Sequence, residues 1–247
     1  SNGSVDYAAI KDLVGWHIEQ GTDGIVSVGT TGEAPTLSTK EHAEVITKTI
    51  EYVNGAIPVI AGTGGNSTHD SIALTKEAAS AGADFCLLVT PYYNKPNQEG
   101  LLTHFTAIAD SVDIPQILYN VPSRTACDIL PSTVKTLAQH QNIVGIKEAL
   151  DNMNRIKQLV EISKEMQDAK DFYIYSGDDP TFLESMKLGT HGVISVAANA
   201  IPNQVSEICQ LALNNNFVEA ENLNQIYSDF YNLCFVESNP MPIKWIM

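Results

Sequence analysis

The chain has 247 residues, 44% of them apolar, and a formal net charge of −15. That length supports a large buried core, and the acidic balance speaks against a nucleic-acid partner, whose phosphate backbone needs a basic face. No apolar run approaches a membrane span. The opening Ser1-Asn2-Gly3-Ser4 lacks the apolar core of a signal peptide. Four cysteines, Cys86, Cys127, Cys209 and Cys234, form no C-x-x-C pair. They are expected to be reduced, buried thiols of a cytoplasmic protein.

The chain opens in a helical pattern, with Ile10, Leu13 and Val14 on one face and Gly21 as the stop. A first apolar run covers 24–28. Ser38-Thr39-Lys40-Glu41 then forms a capping box ahead of Ile46, Ile50 and Val53 at helical spacing. The second run, 57–61, leads into Gly62-Thr63-Gly64-Gly65. This resembles a dinucleotide loop, but the third required glycine falls on Ser67, so the match fails. A third run covers 84–89. Leu102, Phe105, Ile108, Ala109 and Val112 form the next helical stripe. Runs at 115–119, 143–146, 172–175 and 192–196 complete the set. Between the last two, Asp179-Pro180 reads as an N-cap with proline at the first helical position. Helical stretches at 203–213 and 217–236 precede an apolar tail, 240–247.

Runs that are apolar throughout suit strands buried on both faces, as in parallel sheets. They recur about every 20–33 residues, near the length of a βα unit. Seven such strands fit an α/β fold of the (β/α)8 TIM-barrel type with C-terminal helices. A doubly wound sheet shows fewer units and a phosphate-loop signature. The opening helix has no strand before it, so the barrel's first strand and the last C-terminal segment are expected to be lacking. The expected organisation is a barrel over 1–200, with seven of eight strands, and the start of a truncated helical region over 201–247. A barrel without its first strand exposes two sheet edges, and low stability is the expectation.

In a barrel the chemistry gathers at the carboxyl ends of the strands. Those positions carry Gly29-Thr30-Thr31-Gly32-Glu33, Thr90-Pro91-Tyr92-Tyr93-Asn94, Tyr119-Asn120-Val121-Pro122-Ser123-Arg124, Lys147 and Ser176-Gly177-Asp178-Asp179. Lys147 closes an apolar strand, where an amine is screened from water and can serve as a Schiff-base nucleophile. A lysine at a strand end is more often an ordinary solvated residue; its weight comes from its companions. Tyr119 and Tyr93 are phenols able to pass protons, with Thr30 bridging them as donor and acceptor. The amides of Thr30 and Thr31 can hold a carboxylate, and Arg124 offers a planar fork for a second. Amine, relay and carboxylate clamps suit a class I aldolase acting on a 2-oxo acid. The six histidines show no metal-ligand spacing with acids at the strand ends.

Val28-Gly29-Thr30-Thr31-Gly32-Glu33, Thr90-Pro91-Tyr92-Tyr93-Asn94-Lys95-Pro96, Ile117 to Thr125 and Gly145-Ile146-Lys147-Glu148 resemble the dihydrodipicolinate synthase family. That family lies within the N-acetylneuraminate lyase group of pyruvate aldolases. The resemblance spans essentially the whole chain. It implies a lyase that condenses pyruvate with aspartate semialdehyde in diaminopimelate and lysine biosynthesis, with no metal or organic cofactor. It implies that Lys147 forms the Schiff base, that Tyr119 donates and accepts protons, and that Thr30 links Tyr119 to Tyr93 of a neighbouring subunit. Thr31, Gly177 and the backbone near Ile194 would meet pyruvate, and Arg124 the semialdehyde carboxylate. The Pro-Ser-Arg segment favours a synthase over a sialic-acid lyase. The resemblance further implies a homotetramer built as a dimer of dimers, and a lysine-inhibition site at Pro35, His42, Asn66, Asp70 and Tyr92. Asp70 departs there from the glutamate of lysine-sensitive members, which puts that response in doubt. Another pyruvate-dependent aldolase and a catalytically silent fragment are the competing readings.

Overall fold

The computed structural model describes residues 3–247. Seven strands form one parallel sheet in sequential order: β1 (Ile25–Ser27), β2 (Val59–Gly62), β3 (Phe85–Val89), β4 (Gln116–Asn120), β5 (Ile143–Glu148), β6 (Tyr173–Ser176) and β7 (Gly192–Val193). Helices separate consecutive strands; between β1 and β2 a short turn of 3-10 helix precedes the long helix. Each of the seven strands overlaps one of the apolar runs of the sequence.

Side chains alternate across a strand, so register decides what each face presents. Leu88, Leu118, Ile146 and Ile174 align across β3 to β6. They are buried with Leu101, Phe105, Ile108, Val134 and Leu159 of the covering helices. One residue further along, Val89, Tyr119, Lys147 and Tyr175 align in the same way. Alternation turns this row to the opposite face, where Tyr119, Val89 and Tyr175 cluster with Leu87 and Ile117. The helices therefore cover one face of the sheet, and the curled inner face carries Tyr119, Lys147 and Tyr175.

The helices follow their sequence signals closely. The capping box closes as expected: Ser38 Oγ accepts from the amide of Glu41, and Glu41 Oε2 accepts from the Ser38 amide at 3.0 Å. The helix Gln98–Ser111 buries Leu101, Phe105, Ile108 and Ala109. Leu102, expected in that stripe, packs only partly against the core, and Leu101 takes the central place.

Three local expectations are corrected. The run 192–196 is a strand only to Val193, because Val196 turns into helical backbone (φ −85°, ψ −46°) that begins the short helix Ala197–Asn199. Asp179 does not cap a helix. The helix Phe182–Leu188 has Thr181 at its N-cap, and Asp179 is buried elsewhere. The stretch 217–236 is two helices, Phe217–Ile226 and Ser228–Leu233, divided at Tyr227. The tail folds back as the helix Met241–Ile246, burying Ile243 and leaving Trp245 exposed. The helices Pro202–Leu213 and Phe217–Ile226 pack on Phe182, Leu183 and Met186 through Val205, Ile208 and Ala220. All four cysteines are free and buried.

Candidate active site

Lys147 lies in β5, 9% exposed. Register places it beside Tyr119 of β4 and Tyr175 of β6. Its Nζ stands 4.4 Å from the centroid of the Tyr119 ring, within cation–π range. Gly177, just past β6, lets the lysine stem pass. A Cβ there would lie 2.8 Å from Lys147 Cε and 3.0 Å from Ala149 Cβ.

The next residue along β5, Glu148, points to the helix side and anchors the strand end. Its carboxylate accepts from Arg155 Nε at 2.6 Å, from Asn120 Nδ2 at 3.0 Å and from the Leu150 amide at 3.0 Å. Arg155 also donates to both oxygens of Asp128, at 2.8 and 3.1 Å, and to the Ile129 carbonyl. Asn120, at the end of β4, donates to Asp128 at 2.9 Å and accepts from the Ile129 amide at 3.2 Å. Burial raises the Glu148 pKa, and the Arg155 charge works against that rise. The network ties the ends of β4 and β5 together, and so fixes the backbone that carries Tyr119 and Lys147.

The Gly29–Glu33 turn closes with Glu33 N donating to Thr30 O at 3.1 Å and Ala34 N to Gly29 O at 3.3 Å. Arg124, on the short helix Pro122–Thr125, donates from Nη2 to the Asn239 carbonyl at 3.2 Å. Asn239 Nδ2 donates to Thr31 Oγ1 at 2.9 Å. Lys244 pairs with Glu33 at 2.6 Å. The C-terminal segment thus bridges two of the expected carboxylate contacts.

On the far side, Ile194 N donates to Ser176 O at 2.9 Å and Gly177 N to Glu148 O at 2.7 Å. Asp179 Oδ2 accepts from the Val196 and Ala197 amides at 3.0 and 2.8 Å. Burial raises the Asp179 pKa. Its role is to hold the turn after β7 beside Gly177 and Ile194.

Tyr93 is different. It is 89% exposed, with φ at +74°, a conformation that is strained for an aromatic residue. Among the described residues, no hydrogen bond joins Thr30, Tyr119 and Tyr93 within one chain. The relay expected from sequence is not formed by hydrogen bonds among the described residues of this chain.

Of the five expected lysine-site residues, two are brought together: Asn66 Nδ2 donates to the Tyr92 carbonyl at 3.3 Å, and Asn94 Nδ2 donates to Asn66 O at 2.9 Å. His42 is buried against the Gly62 carbonyl at 2.7 Å, and burial lowers its pKa. Asp70 pairs with its neighbour His69. Pro35 sits in the turn Ala34–Thr36. The Gly62-Thr63-Gly64-Gly65 stretch is a packing device: a Cβ on Gly64 would lie 2.2 Å from Val89 N.

Sequence reasoning missed Arg155, Asp128, Tyr175 and Asn239. Tyr175 was inside a recognised strand, and only pairing placed it beside Lys147. Asn239 lies far along the chain from Thr31 and Arg124, and nothing in its local pattern signals a role. Among the described residues, no group of three His, Cys, Asp or Glu is placed to hold a metal ion, and no helix is long and apolar enough to cross a membrane.

A lysine and a tyrosine held side by side on one face of a parallel sheet have the chemistry that Schiff-base catalysis requires. The model of the dihydrodipicolinate synthetase family matches residues 1–247, and the chain belongs to that family. It is 51% identical over 247 residues to 4-hydroxy-tetrahydrodipicolinate synthase of Teredinibacter turnerae, covering 100% of this chain and 83% of that protein. Among solved structures, it is similar to chloride-inhibited dihydrodipicolinate synthase from Acinetobacter baumannii complexed with pyruvate. That match has a TM-score of 0.96 and 50% identity over 99% of this chain and 82% of that one. The Aquifex aeolicus enzyme matches with a TM-score of 0.95 and 45% identity, over 99% and 82% of the two chains.

Proposed function

We propose that this chain condenses pyruvate with L-aspartate 4-semialdehyde to 4-hydroxy-tetrahydrodipicolinate, in diaminopimelate and lysine biosynthesis, with Lys147 as the covalent nucleophile. Family membership supports the reaction. The observation that carries the role of Lys147 is its place on the inner face of β5, 9% exposed and 4.4 Å from the Tyr119 ring centroid.

Lys147 Nζ adds to the C2 carbonyl of pyruvate, and loss of water leaves an iminium. The iminium draws electrons from C3, a C3 proton leaves, and the resulting enamine attacks the aldehyde carbon of the second substrate. The new alkoxide takes up a proton. The amino group of the second substrate then attacks C2, closing the ring and releasing Lys147. Tyr119, beside Lys147 in the register, is the group suited to carry protons at the carbinolamine and aldol steps. Thr31 and the Gly177–Ile194 backbone meet the pyruvate carboxylate, and Arg124 takes the carboxylate of the semialdehyde. Tyr93, exposed and held at a positive φ, reaches the site of a neighbouring copy, where Thr30 joins it to Tyr119. That reading requires a homo-oligomer, and a dimer of dimers fits it. No cofactor is needed, because the iminium itself is the electron sink.

The seven strands are read as members of a (β/α)8 barrel, with residues 1–200 as the barrel and 201–247 as the helical region beside it. Asn66 and Tyr92, joined through the Tyr92 carbonyl, are read together with Asp70, Pro35 and His42 as a lysine-responsive surface. Treatment with pyruvate and borohydride, followed by peptide mass mapping, tests the core of this proposal. A reduced pyruvyl adduct on Lys147 is expected; an adduct elsewhere, or none on the folded protein, would overturn it.

A further inference from the structure

Asn239 stands where three parts of the site meet. It is 6% exposed. Its backbone carbonyl accepts from Arg124 Nη2 at 3.2 Å, and its side-chain Nδ2 donates to Thr31 Oγ1 at 2.9 Å. Two residues of opposite ends of the chain are thereby joined to one on β4's trailing turn. Lys244, on the helix Met241–Ile246, pairs with Glu33 at the end of the same turn that carries Thr31.

A threonine hydroxyl has one proton to donate and two lone pairs to accept with. At Thr31 an accepted bond comes from Asn239. Among the described residues, the Thr31 hydroxyl donates to no group of the protein. Its proton is therefore directed away from Asn239 and remains available to a ligand acceptor. A carboxylate oxygen is the strongest such acceptor the site receives.

We infer that Asn239 is a positioning residue for pyruvate: by donating to Thr31, it orients the Thr31 hydroxyl proton toward the substrate carboxylate, while its backbone holds the Arg124 guanidinium beside the same turn. This rests on the proposed function above, in which Thr31 meets pyruvate. An aspartate at 239 keeps the size of the side chain but reverses the bond. An ionised carboxylate only accepts, so the Thr31 proton turns to the protein and is lost to the substrate.

The experiment is a double-mutant cycle on the pyruvate KM of the full chain, with Asn239→Asp, Thr31→Val and the pair. Losing one charge-assisted hydrogen bond predicts a rise in pyruvate KM of about tenfold or more for each single variant. At saturating pyruvate kcat changes far less, and the borohydride adduct still forms on Lys147. In the Thr31→Val background, Asn239→Asp adds little, because its route to substrate is already gone. An unchanged pyruvate KM in Asn239→Asp overturns the inference, and so do effects that multiply independently in the pair. A merely structural role would lower the melting temperature without this coupling. Should Asn239→Asp not fold, Asn239→Ala removes the same donor without adding charge and is read in the same cycle. If the parent chain forms no Lys147 adduct at any pyruvate concentration, the proposed function itself fails, an outcome separate from an adduct with additive KM effects.

Discussion

Tyr119 and Lys147 are register partners on adjacent parallel strands, with the lysine nitrogen 4.4 Å from the centre of the tyrosine ring. Adjacent strands turn their paired residues to the same face. The amine and the phenol are thus held by the sheet itself, not by mobile loops. Replacing Tyr119 with Phe keeps the ring and its packing and removes only the hydroxyl. Turnover is expected to fall roughly a hundredfold or more. The Lys147 adduct with pyruvate should still form, but more slowly. Steady-state rates beside borohydride trapping separate these two effects, and unchanged turnover would remove Tyr119 from proton transfer.

Gly177 borders the lysine stem. An added Cβ would approach Lys147 Cε to 2.8 Å and Ala149 Cβ to 3.0 Å. Lysine is flexible, so Gly177→Ala is expected to fold and to displace the amine. A shift near 1 Å can cost on the order of a hundredfold in rate. The melting temperature and kcat measured on one preparation test this. Full activity would mean that the stem has another path.

Arg155 pairs with both Glu148 and Asp128. Glu148 is 1% exposed, and removing its partner strands a buried charge. Arg155→Ala is therefore expected to cost about 3–5 kcal/mol of stability. Denaturant melts would show this. Glu148→Gln in the same background should recover part of the loss, because it removes the uncompensated charge. No recovery would indicate that the Arg155 bond to the Ile129 carbonyl, not the ion pair, supports the strand ends.

His104 sets an acid limit. Its Nδ1 pairs with Thr68 Oγ1 at 2.8 Å and its Nε2 is buried with no partner. Burial pushes its pKa down to about 4, from the ordinary 6.5. The unfolded chain therefore binds the proton more readily between those two values. The contribution of His104 to stability is complete above pH 6.5 and is lost as pH falls toward 4. Burial lowers His17, His42 and His191 in the same direction. Melting temperature should fall across this window, and His104→Asn should flatten the slope. A slope identical in the variant would assign the acid sensitivity to other groups.

The sequence alone determined the strand and helix order, because runs apolar on both faces can be satisfied only inside a covered parallel sheet. It also located Lys147, Tyr119, Thr30, Thr31 and Arg124, since each closes or follows such a run. Asp179-Pro180 misled for a physical reason: the pair has the local chemistry of a helix start, but the Val196 and Ala197 amides offered its buried carboxylate a better use. The tertiary structure decided what register and chain return bring together. Tyr175 beside Lys147, Arg155 behind Glu148, and Asn239 between Thr31 and Arg124 are pairings across long stretches of chain. Local pattern encodes the face a side chain presents. Which distant group meets it there is set only when the sheet curls and the C-terminal segment folds back onto its rim.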